Sequence, residues 1–268
     1  MDKHNMIEHF QKFDGEGKSL LPLSFSHLNE FAFYRERWAL RRIFGYEFPT
    51  SASAIRGQVV ESGINMFLNG LPIEEAREKM LSEYDENCSR INDPKIEDER
   101  NNLVPLFELG TKKFQDYAYR WRLIDYQRKV EVQIDDIPFI GYTDFYFEDN
   151  HTREDFFIDL KTSKNLPQKV SISHAMQQAI YQKATNAKQI LWYLKTPTKT
   201  KGAEYIAMSL DDYSEPYNIC KHIIKVMGNY LKTVDTPDDV KNSLVPNPDN
   251  WIWKEPTVLE ARKEVWGY

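Results

Sequence analysis

The sequence predicts an α/β fold, a small sheet set inside a mostly helical shell. Three observations carry that prediction. Apolar residues recur at helical spacing up to about Tyr119. The pattern then switches to alternation of apolar and polar residues around a two-residue turn. Beyond it, one more helical stretch separates two further apolar runs. The core order is therefore helix, three strands, helix, strand.

The elements follow in chain order. "LSFSHLNEFAFYRERWALRRIFG" has Ser24 or Ser26 as N-cap and Gly45 as its stop, which predicts one helix. "SASAIRGQVVESGINMFLNG" (51–70) has a serine cap, apolar residues at Ile55, Val59, Val60, Ile64, Phe67 and Leu68, and Gly70 as a stop. "PIEEAREKMLSEYDENCSRI" and "KIEDERNNLVPLFELGTKKFQDYAYRW" are further helical segments, the second with a break near Pro105. "RKVEVQIDDIPFIGYTDFYFED" reads as a hairpin about Asp135-Asp136, "DNHTRED" as a second turn and "FFIDLKTS" as a third strand. After Pro167 come the helix "VSISHAMQQAIYQKATN", the strand "KQILWYLKT" and a candidate strand "EYIAMSL". "EPYNICKHIIKVMGNYLKTV" is helical, and the tail from Val245 is proline-rich and then helical. No internal repeat interrupts this order.

With 268 residues the chain can hold one large α/β domain or two small ones. No apolar run approaches the roughly 18–20 residues that cross a bilayer, and the N-terminus has no apolar signal region. Two cysteines, Cys88 and Cys220, are too few for a disulfide framework or a four-cysteine metal site. A cytoplasmic setting without membrane contact is expected. The net charge of −6 argues against a protein that coats nucleic acid non-specifically. The distribution is uneven, however. From Leu160 to Ala203 there are eight lysines (161, 164, 169, 183, 188, 195, 199 and 201) and no acid. A second basic stretch interleaves Arg35, Arg37, Arg41 and Arg42 with Phe33, Tyr34 and Trp38. Each reads either as a solvated helix face or as a phosphate track with aromatics for stacking.

"FFIDLKTSKN" holds the chemistry. A buried strand seldom carries two opposite charges, because a desolvated charge is costly without a partner. Residues two apart on a strand share a face, so Asp159 and Lys161 project together while Leu160 points into apolar packing. Asp144, in "GYTDFYF" on the preceding strand, is placed to converge with Asp159. Neighbouring carboxylates repel unless a cation lies between them, and hard oxygen ligands suit Mg²⁺ or Mn²⁺. A lysine beside them could orient a water, or deprotonate one if desolvation lowers its pKa. The alternative is a surface Asp–Lys pair at a strand end.

The ordered set "GYTDF…IDLKTSK…QQAIY" resembles the PD-(D/E)XK nuclease superfamily, and within it the RecB-like and phage exonucleases. Gly141 and Asp144 match its G-x-x-D strand, and Asp159 and Lys161 its D-x-K strand. Gln177 and Tyr181 match its Q-x-x-x-Y helix, and Gly57 and Glu61 the upstream helix. The S-x-S-x-L opening at Ser24 is also similar, and the resemblance spans roughly residues 22–210. It implies a restriction-endonuclease-like core, a central mixed sheet of about 4–5 strands flanked by helices. One domain over 1–268 is expected, with residues 211–268 as a C-terminal helical extension.

The resemblance further implies that Asp144, Asp159, the Leu160 carbonyl and Glu61 hold Mg²⁺ or Mn²⁺, and that Lys161 positions the attacking water. Gln177 and Tyr181 would organise the active-site edge and contact DNA. Glu61 stands where many RecB-like enzymes carry histidine, which bears on metal preference. The four cysteines that bind an iron–sulfur cluster in some relatives are absent, so no cluster is expected. The DNA-contacting set expected from the basic stretches is Lys164, Lys169, Lys195, Lys199, Lys201, Arg35 and Arg41, together with Gln177 and Tyr181. His27, His174 and His222 read as packed or surface residues.

The function implied is a metal-dependent DNA nuclease, an exonuclease on DNA ends or single strands serving phage or bacterial recombination, repair or DNA degradation. A homo-oligomer or a recombination or replication partner protein fits that role. A non-catalytic DNA-binding or scaffold protein of the same fold is the alternative.

Overall fold

Five strands form one sheet in chain order: β1 (Trp121–Ile134), β2 (Ile137–Asp149), β3 (Asp155–Ser163), β4 (Lys188–Lys195) and β5 (Glu204–Met208). The structure is a computed structural model and describes residues 4–13, 19–247, 249–250, 253 and 255–268. All neighbours are antiparallel except β3 and β4, which run parallel. A parallel pair needs a crossover connection, and α8 (Ile172–Thr185) supplies it. The sheet is therefore mixed, as expected. β1 and β2 form a long hairpin whose turn residues Asp135 and Asp136 have φ 49° and 70°. Left-handed backbone at both positions matches the twist of the flanking strands, and aspartate tolerates it.

Seven helices precede the sheet among the described residues: α1 (His4–Gln11), α2 (Phe25–Phe33), α3 (Arg35–Arg42), α4 (Ala52–Leu68), α5 (Ile73–Cys88), α6 (Ile96–Asn101) and α7 (Leu103–Tyr117). After it come α9 (Ser214–Lys232), α10 (Pro237–Ser243) and α11 (Pro256–Trp266). The single helix expected to end at Gly45 is two, broken at Tyr34 (φ −144°, ψ 54°). The break turns the second half so that Trp38 and Ala39 join one core while Leu40 packs with Val258 and Ala261 of α11. The break expected near Pro105 falls at Asn102, leaving Pro105 in the first turn of α7, where a missing N–H costs little. Pro248, Trp251, Ile252 and Lys254 of the proline-rich tail lie outside the described residues.

Alternation along the strands sends side chains to two cores. Phe156, Ile158 and Leu160 of β3 pack with Trp192 and Leu194 of β4 under Val59, Val60 and Ile64 of α4 and Phe107 and Phe114 of α7. The tip of the hairpin, with Ile134, Ile137 and Phe139, packs under α2, α8 and α9 through Leu28, Met176, Ile180, Ile224 and Met227. Beyond residue 210, Cys220, Ile224, Met227 and Leu231 of α9 pack into that second core. Cys88 and Cys220 are buried free thiols. Among the described residues no helix is long and apolar enough to cross a membrane.

Candidate active site

β2 and β3 pair from Glu148–Asp155 to Phe145–Ile158, and there the ladder stops. The next residues in that register are Asp144 and Asp159. Instead of a main-chain acceptor, the Asp144 carboxylate takes the Leu160 amide, which donates to Oδ2 at 2.7 Å. The two strands part at this point, and the aspartates stand at the mouth of the gap. Leu160 itself is buried on the opposite face, as the alternation predicts.

Asp159 is 3% exposed. Lys161 Nζ lies 2.7 Å from its Oδ2 as an ion pair, and among the described residues no other group donates to either Asp159 oxygen. A buried carboxylate left in that state is costly and needs an explanation. Burial works to lower the Lys161 pKa, but Asp159 and Asp144 outweigh it and hold the ammonium above its ordinary value. That reverses the idea of a desolvated lysine acting as base: with these neighbours Lys161 is an orienting cation.

Glu61 enters from α4, whose start is set by Ser51 accepting the Ala54 amide at 3.3 Å. Its neighbours Val59, Val60 and Ile64 are buried, which holds Glu61 at the edge of the core. Glu61 Oε1 accepts from Gln127 Nε2 at 3.3 Å, and Gln127 also donates to the Tyr126 hydroxyl at 3.2 Å. Gln127 sits in β1 at φ 50°, a left-handed conformation that is uncommon for a non-glycine strand residue. Burial raises the Glu61 pKa, with Asp159 adding to it. Asp144 is raised well above the usual carboxylate range by burial, then by Asp159 and Glu61. The ionisation of Asp144 and of Glu61 is therefore opposed by the neighbouring carboxylates and favoured by the one lysine beside them.

That donor set suits a hard divalent cation, which would relieve the repulsion and give Asp159 a partner besides Lys161. As the side chains stand, no three His, Cys, Asp or Glu groups among the described residues are close enough together to hold an ion. The fit rests on the two aspartates and the Leu160 carbonyl, with Glu61 next to them.

α8 covers the other side. Gln177 and Tyr181 are one turn apart, and Gln177 Nε2 donates to the Tyr181 hydroxyl at 3.4 Å. Tyr181 lies flat on Gly141: a Cβ at that position would come within 2.4 Å of the ring. Gly141 is therefore required by close approach. At Gly57 a Cβ would meet Thr162 Oγ1 at 3.2 Å, which lets α4 approach the end of β3.

The expected DNA-contacting cations divide. Lys169, Lys199 and Lys201 are exposed and form no ion pair among the described residues. Lys164 is exposed with Nζ 3.7 Å from Glu99. Lys195 is paired with Glu204, Arg41 with Glu30 at 2.7 Å, and Arg35 lies over the Phe31 ring at 4.5 Å. Glu30 and Glu204, just outside the basic stretches, and the more distant Glu99 neutralise part of the expected track.

Three groups escaped the sequence reading. Tyr126 and Gln127 hold Glu61, and no local pattern announces them. Arg56 and Glu99 form a buried pair beside Thr162. His174, read as a bystander, bonds the Tyr193 hydroxyl through Nδ1 at 2.7 Å. Its spacing from Gln177 and Tyr181, i, i+3 and i+7, was a usable signal.

The model of the PD-(D/E)XK nuclease superfamily matches residues 22–241. A crystal structure from Eubacterium rectale described as "Putative exonuclease" superposes with a TM-score of 0.51 at 12% identity, covering 87% of this chain and 91% of that one. The structure of SSO0001 gives a TM-score of 0.31 at 14% identity over 71% and 84%, too distant to carry an argument. No protein of curated function matches the sequence. The first likeness shows a shared fold, and the family match spans the sheet and every motif residue from Gly57 to Tyr181. The chain belongs to the PD-(D/E)XK nuclease superfamily.

Proposed function

We propose that this protein is a metal-dependent deoxyribonuclease that hydrolyses phosphodiester bonds through Asp144, Asp159 and Lys161. The observation that carries the reading is the parting of β2 and β3, which sets two acids and one lysine at an opening, with Lys161 as the one partner of Asp159 among the described residues. When bound, Mg²⁺ or Mn²⁺ would supply Lewis-acid stabilisation of the phosphate and a more acidic water. Asp144, Asp159 and the Leu160 carbonyl would hold it, with Glu61 completing the set. Lys161, kept charged by the aspartates, orients the attacking water and offsets charge gathering on the phosphate. Gln177 and Tyr181 line the side from which a DNA strand enters. The exposed Lys169, Lys199 and Lys201 attract its phosphates.

The finer reading is an exonuclease on DNA ends or single strands, drawn from the RecB-like resemblance of the motifs. It serves recombination, repair or DNA degradation in a phage or bacterial setting. The test is cleavage of linear and circular, single- and double-stranded DNA with Mg²⁺, Mn²⁺ or EDTA. The wild type is expected to cut linear DNA only with metal, and Asp159→Ala and Lys161→Ala to lose about 10²–10⁴-fold in rate. Metal-independent rates, or variants that cut as well as the wild type, would sink the nuclease reading. Equal cutting of circles would remove the exonuclease part alone.

A further inference from the structure

His174 is half-buried near the start of α8, one turn before Gln177 and two before Tyr181. These three residues form one stripe, and the other two members already face the aspartates. Tyr193 lies on β4 directly opposite Lys161 in the parallel register, so its side chain emerges on the same face. The His174 Nδ1–Tyr193 hydroxyl bond of 2.7 Å thus ties the helix to the strand next to Lys161. Burial lowers the His174 pKa, and Lys161 lowers it further, against an opposing effect of Asp159. The ring is therefore neutral, and one nitrogen carries hydrogen while the other accepts.

The assignment of that hydrogen follows from the partners. Burial raises the Tyr193 pKa to about 12, with Asp159 adding to the shift, so its hydroxyl keeps its proton. Among the described residues that hydroxyl has no acceptor other than His174 Nδ1. The hydroxyl donates to Nδ1, which leaves the hydrogen on Nε2, and Nε2 has no partner among the described residues. A donor held in one tautomer beside a charged lysine is poorly suited to binding a metal and well suited to meeting an anionic oxygen.

We propose that His174 is a substrate-contacting residue, donating from Nε2 to a non-bridging phosphate oxygen of the DNA strand, and that Tyr193 is the positioning residue that fixes its tautomer. The inference rests on the nuclease reading and adds a donor that the family motifs do not include. His174→Ala is expected to lower kcat/KM by about 10- to 100-fold, the loss of one hydrogen bond to a charged group. The melting temperature should fall by only a few degrees, about the effect of leaving the Tyr193 hydroxyl without its acceptor, so the loss of activity exceeds what the folded fraction explains. His174→Gln, which can present an N–H at a similar reach, recovers part of that loss. Tyr193→Phe keeps the ring and costs less, about 3- to 10-fold. Because Tyr193 acts through His174, adding Tyr193→Phe to His174→Ala costs nothing more. A wild type that cleaves while His174→Ala cleaves within twofold of it overturns this inference alone. So do losses that multiply in the double variant. A wild type that cleaves no DNA under any metal overturns the nuclease reading and this one with it.

Discussion

Two buried acid–base clusters flank the end of β3, and they are out of balance in opposite directions. In one, Asp144, Asp159 and Glu61 set three carboxylates against Lys161. In the other, Arg56 and Lys164 set two cations against Glu99. Arg56 and Glu99 are 3% and 1% exposed. Arg56 also donates to the Thr162 carbonyl and hydroxyl at 3.3 and 3.2 Å, and Asn102 adds a weak bond to Glu99 at 3.4 Å. Glu99 Oε2 thus takes bonds from two residues, whereas the one partner of Asp159 among the described residues is Lys161, and Glu99 Oε1 is left without a bond as well. Burial alone does not separate a structural pair from a reactive one. The sign of the local excess does, because an acid surplus at an opening attracts a cation while a bonded arginine holds helices together.

The sharpest way to break this contrast is Glu99→Ala. It leaves the Arg56 guanidinium buried without its carboxylate and is expected to cost about 3–5 kcal/mol in urea unfolding. Lys161→Ala, which stops cleavage, removes an ammonium that is one-quarter exposed and should cost clearly less, about 1 kcal/mol. If Glu99→Ala unfolds no earlier than Lys161→Ala, the two clusters do not differ in the way described. Gly141→Ala comes next, since its methyl group collides with the Tyr181 ring. A destabilisation of about 1–3 kcal/mol, as for overpacking, should accompany a loss of cleavage larger than the remaining folded fraction explains. Normal cleavage would mean that Tyr181 can move without consequence. The smallest effect is Thr162→Val, which removes one hydrogen bond to Arg56. About 1 kcal/mol of stability should go, with cleavage within twofold of wild type.

The reactive cluster was legible because its main parts are local. Asp159 and Lys161 are two apart on one strand, and Asp144 lies on the strand before it, so alternation alone places them together. The structural cluster was not, since Arg56 and Glu99 are 43 residues apart and meet only when α4 and α6 pack. Glu30 and Glu204 were missed for a different reason: they stand one residue outside the basic stretches, 11 and 9 residues from Arg41 and Lys195, and pair with them. Tyr34 carries no helix-breaking signal. The break follows from two cores competing for Trp38 and Leu40, a tertiary effect that periodicity cannot report. Gln127 was invisible for a related reason, since its left-handed backbone is imposed by the sheet around it.

The bond from the Leu160 amide to Asp144 has one more consequence. With Oδ2 already engaged at 2.7 Å, the carboxylate cannot turn freely, and Oδ1 is the oxygen left to bind a ligand. Ordering a side chain on binding ordinarily costs about 0.5–1.5 kcal/mol in lost rotamer freedom. Here that freedom is removed during folding, by the same contact that parts the strands. Asp144 meets its ligand already oriented, so the entropy of aiming it belongs to the fold rather than to the turnover.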